Sequence, residues 1–562
     1  MHRRSIRNKK FILYAVVLLV VAVLAVTFAR RFVKLIWKPV KGDERAAIYN
    51  AKPIADAAKM FEAGASATKL SDPANVNLVS YLRIDGTVVD AFSRQNEASF
   101  SEGGYLNGIL SFRGNALRNT SAAGENHITE GKFSATWKTG VGKASGVTKN
   151  LDWRGQALVI TWSSEVRQLL VRPDSKKSKE NFTEIIYASK DGRIYFLDIE
   201  DGSYTREPIV LGTPVTGTGT ICPDGKPIYV VGTGDCAKND DSQIFVINLI
   251  NGEIVGKFGE RSNFTMKLPE EKYDFYASAL FSDKGDCLVT QGENGVIYTY
   301  AVAVEGNGGD MKVKLNQKAE YTYSYDDGRS ATSSSGIAAW GEYLYSCDTD
   351  GQLVCTNVNT LETVWVRKLG QCFSCTPVLE EDREAGTVFI YVGSSLDLDD
   401  GKKTKGLSYI TKLNAATGDI IWQREYKTRV TKLTDGGFMG TACLGSGSLS
   451  DYIFFTAVGT TGKKADKKNG IVLAINKKTG GMKYYVRLKN YAASSPVCVY
   501  GADGAGYLII CDNEGNLFLL DGESGKVKDT RKIGERITTE PIVYNNKLII
   551  GTESKIYGIT LE

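Results

Sequence analysis

Histidine is almost missing from this 562-residue chain, which has only His2 and His127. A Ser-His-Asp triad or an imidazole-built zinc site therefore has nearly nothing to draw on, and no Gly-x-Ser-x-Gly elbow is present. No two cysteines are adjacent, and ten in this length are too few to staple a disulfide scaffold. Most lie inside apolar runs such as "YLIIC", ending at Cys511, where buried thiols are expected. A large excess of one charge sign is also lacking. The net charge is +5, but ten basic residues flank one apolar run near the N-terminus, so the remainder is slightly acidic and carries no nucleic-acid footprint.

That apolar run is the one long hydrophobic stretch. Residues 11 to 29, "FILYAVVLLVVAVLAVTFA", are 19 uncharged positions. At ~1.5 Å per residue they cross most of a ~30 Å hydrocarbon layer. The ending "TFA" before Arg30 is a poor cleavage site, so the segment is expected to remain as an anchor over 11–30, behind a basic cytoplasmic head at 1–10. Basic residues balance across it, five on each side. A short head with a long tail places the bulk on the extracytoplasmic side, with the membrane as first partner. Residues 31–130 read as a juxtamembrane segment. It holds a short helix from Pro53 to Gly64, a hairpin at 78–92 turning on Asp85 and Gly86, and "GILSFRGNALRNT" at 108–120, expected to pack on the larger C-terminal part of the chain.

The C-terminal part is a repeat. Eight segments align without gaps: "GRIYFLD" at 192, "SQIFVIN" at 242, "GVIYTYA" at 295, "GQLVCTN" at 351, "SYITKLN" at 408, "GIVLAIN" at 470, "GNLFLLD" at 515 and "SKIYGIT" at 554. Their starts lie 50, 53, 56, 57, 62, 45 and 39 residues apart. An apolar run precedes each one, and links such as "SKDG", "DTDG" and "DNEG" supply the positive φ of a hairpin turn. Six copies then carry Asp198, Asn248, Asn357, Asn414, Asn476 or Asp521, with Gly four residues later in five of them. The side chain caps the turn and glycine closes it onto a further strand. Four antiparallel strands per ~50 residues make a propeller blade.

The last copy stops after its third strand. "SATWKTGVG" at 134–142 has an outer-strand signature with no blade of its own, and Trp137 precedes Gly142 by the same interval that separates Trp365 from Gly370. The reading is an all-β, eight-bladed propeller over 131–562, closed by pairing an N-terminal strand with the C-terminal one, because an open ring leaves an unpaired edge.

The repeat resembles the pyrroloquinoline-quinone (PQQ) type, whose pattern of Gly, apolar, aromatic, apolar, Asp or Asn, turn, Gly, Lys, Trp, Gly builds eight-bladed propellers. The resemblance covers about 430 residues. Members include quinoprotein alcohol dehydrogenases and the scaffold lipoprotein of outer-membrane barrel assembly. For the former it implies a quinone held over a Trp floor beside a disulfide of adjacent cysteines, with calcium on Glu, Asn and Asp. The nearest substitute for that pair is "CFSC", Cys372 and Cys375, a candidate redox pair at the entrance to the inner strand of blade five. "DLDDG" at 397–401 has a calcium-loop look but carries Ser408 where the twelfth-position Glu belongs. No cofactor is therefore expected. Cys498 and Cys511 flank "VYGADGAGYLII" symmetrically and are expected opposite each other on blade seven, as thiols or a cross-strand disulfide.

Binding is better signposted than catalysis. Most loops between second and third strands have four residues, whereas those near 233, 394 and 459 are long and share one face. The last two bring Lys402, Lys403, Lys405, Lys463, Lys464, Lys467 and Lys468 to neighbouring blades, among Asp397, Asp399, Asp400 and Asp466. These seven lysines are the candidate surface for a protein or envelope-polymer partner. The expected function is a membrane-anchored, non-catalytic binding or assembly scaffold; a PQQ- and calcium-dependent oxidoreductase and a small-ligand or glycan sensor are the alternatives.

Overall fold

Blade five shows how each repeat folds. Val378–Asp382, Thr387–Gly393, Lys405–Asn414 and Ile420–Arg429 pair in that order as an antiparallel meander. The computed structural model describes residues 78–562 apart from 104–107, 126–127, 143–154, 171–172, 235–241, 260–273, 307–309, 326–328, 397–404, 430–435, 460–469 and 538. Among them are eight such sheets, one per repeat. The inner strands are short and buried, as in Val497–Tyr500, while the outer strands alternate exposed and half-buried residues, as in Met482–Arg487. Apolar cores fill the spaces between successive sheets; one joins Val497 and Ile509 of blade seven to Val543 and Leu548 of blade eight.

The ring closes as expected. Lys555–Leu561 pairs antiparallel with Phe133–Gly140, placing Gly558 opposite Trp137 and Ile556 opposite Thr139. Turn chemistry is also as expected: Asn248 Oδ1 accepts from the Ile250 amide at 2.9 Å and Asn414 Oδ1 from the Ala416 amide at 2.8 Å. The glycine ending the turn has a second task. The indole N–H of Trp137 donates to the Ile199 carbonyl at 2.9 Å, Trp365 to Ala415 at 3.0 Å, and Trp422 to Lys477 at 3.0 Å, each reaching the third-to-fourth-strand turn of the next blade. The rings lie flat on the turn glycines. A Cβ on Gly202, whose φ is +70°, would stand 2.3 Å from Cε3 of Trp137. Gly202→Ala is therefore expected to cost about 2 kcal/mol by clash and left-handed strain together. Urea denaturation checks this; an unchanged midpoint would show that the indole contact does not fasten the ring.

Described residues before 131 pair with the propeller. The hairpin turns at Asp85 and Gly86 as expected, but its first strand, Leu78–Ile84, also adds a fifth strand to blade three, running from Leu78 opposite Tyr325 to Ile84 opposite Ala319. The charged insert of blade one forms the short helices Ser164–Leu170 and Asp174–Lys177. No helix among the described residues is long and apolar enough to cross a membrane. The apolar run at 11–29 and the helix expected at 53–64 lie outside the described residues.

Candidate functional site

At the hub, backbone amides on the inner strands have no further strand to bond, so each needs another acceptor. Small hydroxyls supply most of them. The Gly336 amide donates to Thr376 Oγ1 at 3.0 Å, Thr376 to Thr441 at 3.2 Å, Thr441 to Ser495 at 2.8 Å, and Ser495 to Glu540 Oε2 at 2.5 Å. The Glu540 amide then bonds the Gly155 carbonyl at 3.0 Å, and the Gln156 amide bonds Thr218 Oγ1 at 2.9 Å. This girdle passes from blade to blade across the closure. Glu540 is its one carboxyl and is buried; desolvation pushes its pKa up to about 7 against the opposing pull of Arg113.

Next to the girdle, the stretch 108–123 crosses the axis and bonds all eight blades. Gly108–Ile109 pairs with blade one. The carbonyls of Leu110, Ala116, Leu117 and Ser121 accept from Ile221, Ala339, Leu379 and Val543, on blades two, four, five and eight, at 2.8 to 3.0 Å. Arg118 donates from Nε to Ile337 and from Nη2 to Ser278, both at 2.8 Å, joining blades four and three, and from Nη1 to Phe112 at 2.9 Å. Arg113 reaches Ala442 at 2.9 Å and Pro496 at 3.0 Å, joining blades six and seven. Both arginines are fully buried with left-handed backbones, φ 59° at Arg118 and 55° at Arg113. Burial pulls the Arg118 pKa down to about 9. The expectation that 108–120 packs on the ring understates its place: it is an axial plug.

The lysine candidates fall differently. Lys405 opens a strand and is exposed opposite Arg429. Lys402, Lys403, Lys463, Lys464, Lys467 and Lys468 lie outside the described residues, as does all of "DLDDG". What is described are the loop bases. Ser395 and Leu396, at the root of the blade-five loop, pair with Gly437 and Gly436 of the neighbouring sheet, whose second and third strands carry the other loop. The meander puts the bases of both loops at the strand ends opposite the first-to-second-strand hairpins.

Cys372 and Cys375 are buried. The Cys372 backbone forms a β-bridge with Ser395, and the Cys375 thiol donates to the Gly393 carbonyl at 2.9 Å, its pKa pushed up to about 12 by burial. Cys498 and Cys511 correct the symmetric reading: Cys498 stands opposite Leu508, and Cys511 opposite Leu517 on the next strand. The turn tightens at Gly501, whose carbonyl accepts from the Gly504 amide at 3.0 Å, so the hairpin is centred earlier than the letters suggest. The two sulfurs belong to different inter-blade cores. Instead the Cys498 amide donates to Cys443 Sγ at 3.3 Å.

The residues present do not fit a quinone and calcium site of the kind the repeat resemblance implies. No adjacent cysteine pair exists in the sequence, and among the described residues no three His, Cys, Asp or Glu group to hold a metal ion.

No family model and no curated protein matches the sequence. Among solved structures, the chain is similar to BamB from Moraxella catarrhalis, at 14% identity, covering 72% of this chain and 96% of that one, with a TM-score of 0.43. It is similar to the computationally designed protein Ika8, at 11% identity, 67% and 93% coverage and a TM-score of 0.43. A third is the quinohemoprotein alcohol dehydrogenase ADHIIG from Pseudomonas putida HK5, at 8% identity, 83% coverage of both chains and a TM-score of 0.49. The eight sheets, the borrowed outer strand and the indole contacts together make the described residues an eight-bladed propeller of the kind the PQQ-type repeat implies.

Proposed function

We propose that this chain is a membrane-anchored, non-catalytic scaffold of the cell envelope, held by residues 11–29 with its propeller on the extracytoplasmic side. The observation supporting this most is the axial plug. One segment bonds every blade, so the inner strands are committed to holding the ring rigid. Length varies instead in the loops near 233, 394 and 459. Extended loops on a rigid ring suit the capture of a partner. The seven lysines give that face a mixed but lysine-rich character, fitting an acidic protein or an anionic envelope polymer.

Two measurements test the reading. A photo-crosslinking residue at Lys405, on the long-loop face, is expected to capture a discrete partner in intact cells, whereas one at Lys526, in the opposite-face turn of blade seven, is expected to capture none. Equal capture from both positions, or none from Lys405, would remove the face assignment. Replacing all seven lysines with serine is expected to lower retention on anionic wall polymer or vesicles at least tenfold at low salt; unchanged retention would discard the lysines as the contact.

A further inference from the structure

The thiol environments differ sharply among the described cysteines. Burial raises the pKa of Cys347, Cys355 and Cys511, and neighbouring Cys375, Asp348 and Cys372 add to it at Cys347, as Asp512 and Glu540 do at Cys511. Cys443 and Cys498 are a different case. They lie 55 positions apart on the inner strands of blades six and seven and share one inter-blade core. The Cys498 amide donates to Cys443 Sγ at 3.3 Å. Adding one N–Cα bond places the Cys498 Cα within about 4.8 Å of that sulfur, compatible with the short Cα separation a disulfide requires. The plug fastens the same spot. Arg113 bonds the carbonyl just before Cys443 and the one two residues before Cys498, and Ser121 Oγ lies 3.9 Å from Cys443 Sγ.

We propose that Cys443 and Cys498 form a reversible dithiol–disulfide pair, oxidised by a hydroperoxide, that covalently joins the inner strands of blades six and seven beside the plug. Cys443 is the attacking sulfur. Its pKa is drawn down to about 6 chiefly by the side-chain hydrogen bond from Cys498, with the Arg113 charge, the Cys498 amide and Ser121 assisting against burial. The other titratable groups nearby, the Tyr484 and Tyr500 phenols, are pushed up and stay neutral at physiological pH.

The chemistry balances with hydrogen peroxide. The Cys443 thiolate attacks one peroxide oxygen, the O–O bond breaks, and the departing hydroxide takes a proton to leave as water, giving a sulfenic acid. The Cys498 sulfur then attacks that sulfenic sulfur as its own proton passes to the leaving hydroxide, which departs as a second water. Two thiols lose two electrons in total, and one peroxide gains them. A thiol reductant reverses the bond by exchange. Sequence alone points elsewhere, because the partner of Cys498 lies on the preceding blade rather than in its own hairpin.

The test uses the full chain in detergent, treated with hydrogen peroxide, quenched, alkylated under denaturing conditions and mapped by peptide mass. The expected product is a single linked peptide pair containing Cys443 and Cys498, lighter by two hydrogens, with an oxidation rate half-maximal near pH 6. Recovering both residues as alkylated thiols would overturn the proposal. So would Cys443 accumulating as sulfinic acid without the link, or Cys498 linked to another cysteine. In Cys498→Ser the sulfenic acid on Cys443 is expected to persist and react with dimedone; absence of the adduct in folded variant counts against the pair. Should that variant fail to fold, the wild-type mapping and its pH profile decide alone.

Discussion

Arg118→Leu is expected to lower the stability of the propeller by about 4 kcal/mol, seen as a fall in the urea midpoint at constant slope. Its guanidinium makes bonds of 2.8 to 2.9 Å to Ile337, Ser278 and Phe112, in two blades and the plug itself. Leucine fills part of the volume and leaves those carbonyls without a donor. Each orphaned acceptor costs on the order of 1–3 kcal/mol, and the buried site admits little water to replace the loss. Arg118→Lys is expected to fall between, since an ammonium keeps the charge but cannot span the same fork. A loss below about 1 kcal/mol for the leucine variant would mean that the ring holds its shape without the plug.

Glu540→Gln is expected to change the pH profile rather than simply weaken the fold. The folded pKa of Glu540 is raised to about 7 from an ordinary 4.5. Between those values the folded state keeps a proton that the unfolded chain has lost, so this group's contribution declines as pH rises from 4.5 through 7 and is flat outside that window. The shift corresponds to about 3 kcal/mol. Glutamine has no proton to lose, and its carbonyl oxygen can still accept from the Ser495 amide. The variant should therefore match the wild type near pH 5 and exceed it in stability near pH 8, by up to about 3 kcal/mol. Asp348, raised to about 6 by burial, gives the wild type a second decline of the same sign. Glu535 and Asp521, both lowered, act oppositely, so the difference between the two proteins is the quantity to measure. Parallel profiles would show that Glu540 is ionised at the hub throughout.

Much of this architecture can be read from the residues because each blade is built from local signals. An apolar run, an Asp or Asn turn and a left-handed glycine fix one meander, and the interval from Trp137 to Gly142 betrays where the orphan strand belongs. Non-local arrangements are harder. The plug has no periodicity, and its partners are single residues scattered over eight blades, so "GILSFRGNALRNT" looks like any loop. Its one signal is a pair of arginines in an otherwise uncharged stretch. Letter symmetry gives the wrong register at Cys498 because Gly501 to Gly504 tighten the turn off centre, a matter of backbone conformation that spacing does not encode. The indole contacts are within reach of sequence, since each tryptophan is matched one blade later by a glycine with no room for a methyl group.

The fifth strand on blade three bears on how the molecule carries load. Tension applied through whatever precedes Leu78 enters along seven residues paired to Tyr325 through Ala319, and must shear that ladder lengthwise before any pull is felt at the axis. Shear across a ladder breaks several hydrogen bonds at once, whereas peeling breaks them singly. The propeller's centre is thus insulated from a pull on the N-terminal side of Leu78, and such a load would release the rim first.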